Sequence, residues 1–483
     1  MSANSAVTND LTQKILPFLD PHLGIQLLSH VSAAGLYADA DIAKAQYELA
    51  SRTDMVDRAI ELHKKAFPSE SAPESLTSRK EAIAGKGASL SQDAEKVLNV
   101  VKEPSVASVL KQDRAQNVAF LQQNHNITTD QIESLYNYGY HLYASGEHSA
   151  AATYLYHFSA VSPNSRLHES ALWGRLASDA LTGEWEKALE DVRLLREHID
   201  GLRSTTSVLV GGSSSELTHE AVLQKRVWLL HWSLFVWANH DAGRAKLVEL
   251  FLSPAYLSAV QTSCSWLLRY LVYALIATRR TTRTFVIEGA SGQSKLSTHA
   301  ALRELSRTIQ SEAHRLQPDP IVDFFRQLYI DLDFKKAVEQ LAEAIKLAKA
   351  DFFIHAHANE FEEGARALVT DVFCRIHQKV QISELSAVLA ISPEEGAKWV
   401  SAYLADRSDA KIDTAAGVVT FVLPHPNVYQ SVTEKTRTVA ARTGSLVNTM
   451  ERHQADDDEA DEEADEAEEP AGDAPETTSA PAA

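Results

Sequence analysis

The chain sets a long run of paired amphipathic helices ahead of a compact helix-turn-helix closed by a short β-hairpin, and this order restricts it to an all-α fold with one small β element. The closing module is legible residue by residue. Val380-Gln381-Ile382 alternates as a short strand, Ser383 is placed to cap a helix carrying Leu385, Val388 and Leu389 on one face, and Ile391 fills the turn. Ser392-Pro393-Glu394-Glu395 opens a second helix, with a hydroxyl at the N-cap, proline at the first helical position and Glu395 able to reach back to the cap amide. That helix is expected to bury Trp399, Val400 and Tyr403 or Leu404. Lys411-Ile412-Asp413 and Val418-Val419-Thr420-Phe421 flank a tight turn at Thr414 to Gly417. Together these residues read as a winged helix.

A helix-turn-helix often docks in the major groove of DNA, where basic side chains neutralise phosphates. Here the charge has the wrong sign. Between Ile382 and Phe421 the acids Glu384, Glu394, Glu395, Asp406, Asp409 and Asp413 face only Lys398, Arg407 and Lys411, a net charge of −3. Two acids open the would-be recognition helix, so protein docking through the wing edge is expected and RNA contact only indirect or weak. The wing-edge residues are Lys411, Ile412, Asp413, Val418, Val419 and Thr420. Beyond the wing, Val432, Val439 and Leu446 recur every seven residues and predict a last helix able to enter a multi-chain bundle.

The formal net charge of −19 belongs mostly to one end, because residues 455–483 hold thirteen acids and no lysine or arginine, leaving −6 for the rest. Such a segment has little to bury and is expected to be a disordered, solvating tail. Cys264 and Cys374 are the only cysteines, which excludes a disulfide framework and a cysteine zinc cluster and suits a cytoplasmic setting. The N-terminus lacks a signal-peptide pattern and the longest apolar run, Val227 to Ala238, is interrupted by His231 and Ser233, so no membrane span is expected.

A weak repeat runs through the helical part. Gly146-Glu147-His148, Gly183-Glu184-Trp185 and Leu332-Asp333-Phe334 each read as the corner of a helical hairpin, with an acid, a ring and then Ala151, Ala188 or Ala337 where two helices approach closely. Gly139, Ala151 and Pro163 stand at offsets resembling a tetratricopeptide repeat. The spacing is irregular, so the array reads as a degenerate helical solenoid. Asp10 to Leu28 and the apolar stripe Ala365, Leu368, Val369, Val372, Phe373 and Ile376 predict further helices, the second joining solenoid to winged helix. Gln224 to Trp237 is apolar nearly all round and predicts a buried helix whose Trp228, Trp232 and Trp237 are core. Gly201 to Ser215 and Thr278 to Thr298 read as surface loops. The expected domains are N-terminal helical repeats at 1–130, a solenoid at 131–370, the winged helix at 371–423, a C-terminal helix at 424–452 and the acidic tail at 453–483.

No constellation for catalysis emerges. Gly289-Ala290-Ser291-Gly292-Gln293-Ser294-Lys295 imitates a phosphate loop, but Ser294 replaces the glycine that lets backbone wrap phosphate, and Leu296 replaces the metal-binding hydroxyl. That stretch reads as a flexible insertion. His355-Ala356-His357 imitates half a zinc site, yet on a helix the two rings diverge by about 200° and cannot share an ion. No cofactor, metal or small-molecule substrate is expected, and the chain reads as a non-enzyme.

Helical repeats fused to a winged helix resemble the PCI-domain family. Within it, DLTQKILPFLDPHL from Asp10, RTDMVDRAIELHK from Arg52, RVWLLHWSLFVWANH from Arg226, DFFIHAHANEFEEGARALVTDVFCRIHQ from Asp351 and DAKIDTAAGVV from Asp409 resemble the e-subunit family of eukaryotic translation initiation factor 3. The resemblance spans Asp10 to Met450; the two long loops and the acidic tail depart from it. It implies a scaffold subunit that assembles with other initiation factor 3 subunits (c, d and l), binds the 40S ribosomal subunit and supports recruitment of mRNA and initiator tRNA. The alternative implied by the wider family is a scaffold subunit of the proteasome lid or the COP9 signalosome.

Overall fold

The computed structural model describes residues 9–466 except 69–72, 108–113, 163–164, 209–218, 290–291, 316, 378, 390, 405–409, 414–416 and 422–427. It divides into two units, residues 1–403 and 404–483. The fold is all-α with small β-hairpins.

The first unit opens with a departure from the expected single helix over Asp10–Leu28. Helix α1 covers only Thr12–Ile15, a 3₁₀ turn covers Leu16–Phe18, and α2 runs over Pro21–Ala33. The two prolines explain the break: Pro17 offers no amide for a continuing α-helix, and Pro21 disfavours helical backbone at Asp20, which is extended. Asp20 then caps α2 by accepting from the His22 amide at 2.9 Å. Helices α3 (Asp39–Ser51), α4 (Val56–Ala66), α5 (Glu74–Lys102), α6 (Pro104–Ala107) and α7 (Arg114–His125) follow.

The expected hairpin corners lie at the turns between α8 (Thr129–Ser145) and α9 (His148–Val161) and between α10 (Ser165–Thr182) and α11 (Trp185–Val208). Thr128 and Gln131 form a reciprocal capping box at the start of α8, and Gly146 ends it at φ 96°. At Gly139 an added Cβ would stand 3.1 Å from the Leu155 side chain, so glycine sets the approach of α8 to α9. Val97, Leu121, Leu135, Leu155 and Phe158 join the N-terminal helices and this pair in one core cluster. Ala151, Ala188 and Ala337 are fully buried, while the corner rings of Trp185 and Phe334 are half-buried. Where a loop is expected at Gly201 to Ser215, α11 instead continues to Val208, and residues 209–215 lie outside the described residues.

Helix α12 (His219–Asn239) is buried on most sides. Trp237 is core, Trp232 donates its ring N–H to the Phe18 carbonyl at 2.9 Å, but Trp228 is 45% exposed and is no core residue. After α13 (Gly243–Phe251), α14 (Pro254–Ser263) and α15 (Leu268–Thr278), the second expected loop is instead a β-hairpin, β1 (Thr284–Gly289) against β2 (Gly292–Ser297). Alternation explains it, because Phe285 and Ile287 turn inward on β1, which packs on α13, and the Val286 amide donates to Glu249 Oε1 at 3.0 Å. The described part of the imitation phosphate loop therefore lies on two paired strands, with Lys295 opposite Val286.

Helix α16 (Thr298–Ser311) starts from a Ser297 cap, and α17 (Pro320–Arg326) leads through a π turn at Gln327–Asp331 to Leu332. Asp333 caps α18 (Phe334–Ala350), accepting from the Lys336 amide at 3.2 Å. Helix α19 (Ala358–Ile376) buries Ala365, Leu368, Val369 and Val372, and Gly364 lets it meet α15: an added Cβ would sit 2.8 Å from the Ile276 carbonyl oxygen. Strand β3 (Lys379–Gln381), α20 (Ile382–Val388) and α21 (Pro393–Leu404) complete the helix-turn-helix. Ser383 does not cap α20, which begins a residue earlier with Gln381 at the N-cap and no side-chain bond.

The second unit holds β4 (Ala410–Asp413) antiparallel to β5 (Val418–Phe421), then α22 (Val428–Glu466). The expected boundary at 452/453 does not interrupt α22, because alanine and glutamate favour helix strongly enough to carry it into the acidic run. Residues 467–483 lie outside the described residues.

Candidate protein-interaction surfaces

The local chemistry of the helix-turn-helix sets its stiffness. The Glu395 amide donates to Ser392 Oγ at 3.3 Å, fixing the start of α21, while the Glu395 carboxylate accepts from the Ser392 hydroxyl at 3.0 Å and not from the cap amide as expected. Val400 is fully buried, Trp399 donates to Thr370 Oγ1 at 3.4 Å, and Tyr403 stacks on Trp399 with ring planes 4° apart. The acids Glu394 and Glu395 occupy the first turn of α21, as a helix N-terminus favours.

In the wing, Ile412 pairs with Val419, Lys411 with Thr420 and Asp413 with Val418. Lys411 and Asp413 are exposed, Val418 and Thr420 half-exposed, and Val419 buried; the Ile412 side chain lies outside the described residues. Among the described residues β4 pairs only with β5, so its other edge keeps backbone groups available for an added strand. The buried Val419 anchors the hairpin while the exposed residues and the β4 edge face outward.

On α22, Val432, Val439 and Leu446 are 56, 61 and 63% exposed, forming one line at heptad spacing. Val428, Tyr429, Val447 and Met450 are exposed beside them.

Polar chemistry in the first unit was not legible beforehand. Arg269 is 1% exposed; its Nε donates to Asp319 Oδ2 at 2.6 Å, Nη1 to Asp351 Oδ2 at 3.1 Å and Nη2 to the Asn9 carbonyl at 2.5 Å. Burial raises the Asp351 carboxyl despite this guanidinium. A second buried group, Arg175, donates through Nε to Asp191 Oδ1 at 2.7 Å and through Nη1 to Ser159 Oγ at 3.1 Å. It stands at the base of a cavity of about 460 Å³ between α9, α10 and α11. Burial, followed by the adjacent Asp191 carboxylate, pushes the Asp179 carboxyl there up to about 7. The i,i+4 spacing of Arg175 and Asp179 is visible in sequence, but their partner on the next helix is not.

The imitation zinc pair divides its bonds. His355 Nδ1 donates to the Phe352 carbonyl at 2.7 Å and His357 Nδ1 meets Glu360 Oε1 at 3.2 Å. Among the described residues no group of three or more His, Cys, Asp or Glu side chains could hold a metal ion, and no helix is long and apolar enough to cross a membrane.

The family model described as "eIF3 subunit 6 N terminal domain" matches residues 10–141. The chain is 43% identical over 468 residues to a protein of Mycosarcoma maydis named as the E subunit of eukaryotic translation initiation factor 3, covering 92% of this chain and 86% of that one. Its similarity to the protein of the same name from Yarrowia lipolytica is 37% over 441 residues, covering 91% and 98%, and to that from Cryptococcus neoformans var. neoformans 37% over 449 residues, covering 92% of each.

Proposed function

The chain belongs to the E-subunit family of eukaryotic translation initiation factor 3, and on that premise we propose that it works by assembly, contributing position and surface without a reaction of its own. The observation that carries this reading is the exposed heptad line of α22, which has the pattern of a helix made to enter a bundle with helices of other subunits. The β4 edge adds a second contact of a different kind, side-by-side association with winged helices of neighbouring subunits through backbone hydrogen bonds. In this reading the domains are the helical repeats at 1–130, the solenoid at 131–370, the winged helix at 371–423 and the C-terminal helix beyond it. The neighbours are the c, d and l subunits. The assembled factor works in the cytoplasm, binding the 40S particle and supporting recruitment of mRNA and initiator tRNA.

The experiment is affinity purification of the tagged full chain followed by gradient sedimentation. Co-purification of the other initiation factor 3 subunits and co-sedimentation with 40S particles is the expected result. Co-purification with proteasome-lid or signalosome subunits in their place would overturn the reading. Loss of the factor's subunits on replacing Val419 with proline, with helicity retained, would tie the association to the wing.

A further inference from the structure

Helix α15 packs on both α16 and α19, so the end of α15, the base of the β1–β2 hairpin, the first turns of α16 and the last turn of α19 share one surface. Arg279 and Arg280 follow α15, Arg283 precedes β1, His299 and Arg303 lie on α16, and Arg375 stands in the last turn of α19. Arg279 and Arg375 both donate to Asp371 Oδ2, the latter at 3.5 Å. The Thr298 amide and hydroxyl donate to the Arg283 carbonyl at 3.1 and 3.0 Å, which sets that arginine beside His299. Partial burial first, then the charges of Arg375 and Arg279 with Arg303 behind them, hold the His299 imidazole below its ordinary value.

The charges on this surface do not balance. Asp371 is the one carboxylate that forms ion pairs with these arginines among the described residues, and Arg279 and Arg375 share it. The acids nearest along the chain have cations of their own, Glu304 in Arg307 at 3.3 Å and Asp331 in Arg326 at 3.7 Å. Arg280, Arg283 and Arg303 are exposed and form no ion pair among the described residues; Arg280 lies over the Tyr403 ring, 5.5 Å from its centroid. Like charges gathered this way repel one another, and an anion from outside would relieve the repulsion. A guanidinium is a planar fork that grips a phosphate through two hydrogen bonds.

We propose that this surface holds the phosphate backbone of single-stranded RNA, with Arg280, Arg283 and Arg303 on phosphates and a base stacked on the exposed His299 ring. A polyanion with a charge at every residue suits cations spread over several elements, and RNA brings flat bases to the ring where an acidic peptide brings none. The proposal rests on the reading of the chain as a subunit of initiation factor 3, whose work lies on RNA. The net-negative stretch Ile382–Phe421 takes no part, so the contact is electrostatic, weak and indifferent to sequence.

The test measures fluorescence anisotropy of a labelled oligouridylate of about twelve nucleotides with the full chain, across a potassium chloride series. Three phosphate contacts predict that the logarithm of the binding constant falls with the logarithm of salt at a slope of about −2. Replacing Arg280, Arg283 and Arg303 together by glutamine should weaken binding at least about tenfold at low salt and remove most of that slope. These side chains are exposed, so the unfolding midpoint should stay where it was. His299→Ala should weaken binding and leave the slope alone, because stacking carries no charge. Replacing the exposed Lys44, Lys64 and Lys65 by glutamine removes the same charge elsewhere and should change affinity less than about twofold. Absence of salt-sensitive binding, or equal weakening in the lysine variant, would overturn the proposal. Displacement of the RNA by an oligoglutamate as readily as by unlabelled oligouridylate would overturn it in favour of an acidic protein segment. The arginine variant should still co-purify with the other initiation factor 3 subunits, and its loss from them would make this surface a subunit interface instead. The RNA titration uses the chain alone, so a failed co-purification of the parent chain, which overturns the assembly reading, leaves the titration result standing.

Discussion

Leu332 takes up the same left-handed backbone as Gly183 at a matching hairpin corner, with φ of 55° against 81°. A glycine reaches that region without penalty, whereas a side chain with a Cβ is strained there by about 1–2 kcal/mol. Leu332 is 51% exposed, so little burial offsets the strain. Leu332→Gly should therefore raise stability by about 0.5–1 kcal/mol. A denaturant midpoint that falls in the variant would show that the exposed leucine contributes more packing than its surface suggests.

Arg269 is a buried charge answered by two carboxylates. Arg269→Met keeps the volume and removes every donor, leaving the Asp319 and Asp351 carboxylates without their cation. Breaking a buried pair from one side costs about 3–5 kcal/mol, so the midpoint should drop steeply. A double variant that also replaces Asp319 with asparagine should recover part of the loss, and a failure to recover any would separate the two residues energetically.

The heptad line of α22 makes the opposite prediction. Replacing Val432, Val439 and Leu446 together by aspartate alters only exposed positions, so helicity and the unfolding midpoint of the isolated chain should change by less than about 0.5 kcal/mol per site. Association with other initiation factor 3 subunits should fall sharply. Retention of the full complex by this triple variant would remove α22 from the assembly.

Asp179 links stability to pH with an unusual sign. Unfolded, its carboxyl ionises near about 3.9; folded, it does so at about 7, so the folded chain holds more protons in between. The stability it contributes is full below the lower value and is lost as pH rises toward about 7. Asp179→Asn does not titrate, so its stability relative to the parent chain should improve between about pH 5 and about pH 8, measured as urea midpoints. A difference that stays flat across the window would mean that Asp179 is ionised throughout.

What could be read in advance was local. The Ser392–Glu395 cap, the strands on either side of the wing turn and the glycine corners each depend on residues a few positions apart, and the structure bears them out. What escaped reading depends on distance. The segment of β1 and β2 reads as a loop because its glycines and hydroxyls outweigh the inward pair Phe285 and Ile287, whose burial is decided by α13. The break at Pro17 and Pro21 was hidden by an apolar spacing that suits one long helix. The site formed by Arg175, Asp179 and Asp191 spans two helices, and no spacing rule within either reveals which face meets which.

The anchoring of Asn9 by Arg269 also has a meaning in time. The ribosome delivers this chain from its N-terminus, yet the carbonyl of residue 9 is gripped by a guanidinium 260 positions later, itself steadied by Asp319 and Asp351. Trp232 holds the Phe18 carbonyl across a gap of 214 positions in the same way. The Asn9 and Phe18 carbonyls thus lack these donors until residues 269 and 232 have been made, whereas Asp20 meets the earlier Tyr143 hydroxyl at 2.7 Å. Leu11 and Ile15, buried in the finished fold, precede that clasp by more than 250 positions, so the distance between a leading residue and its late-arriving partner sets how long the contact must wait.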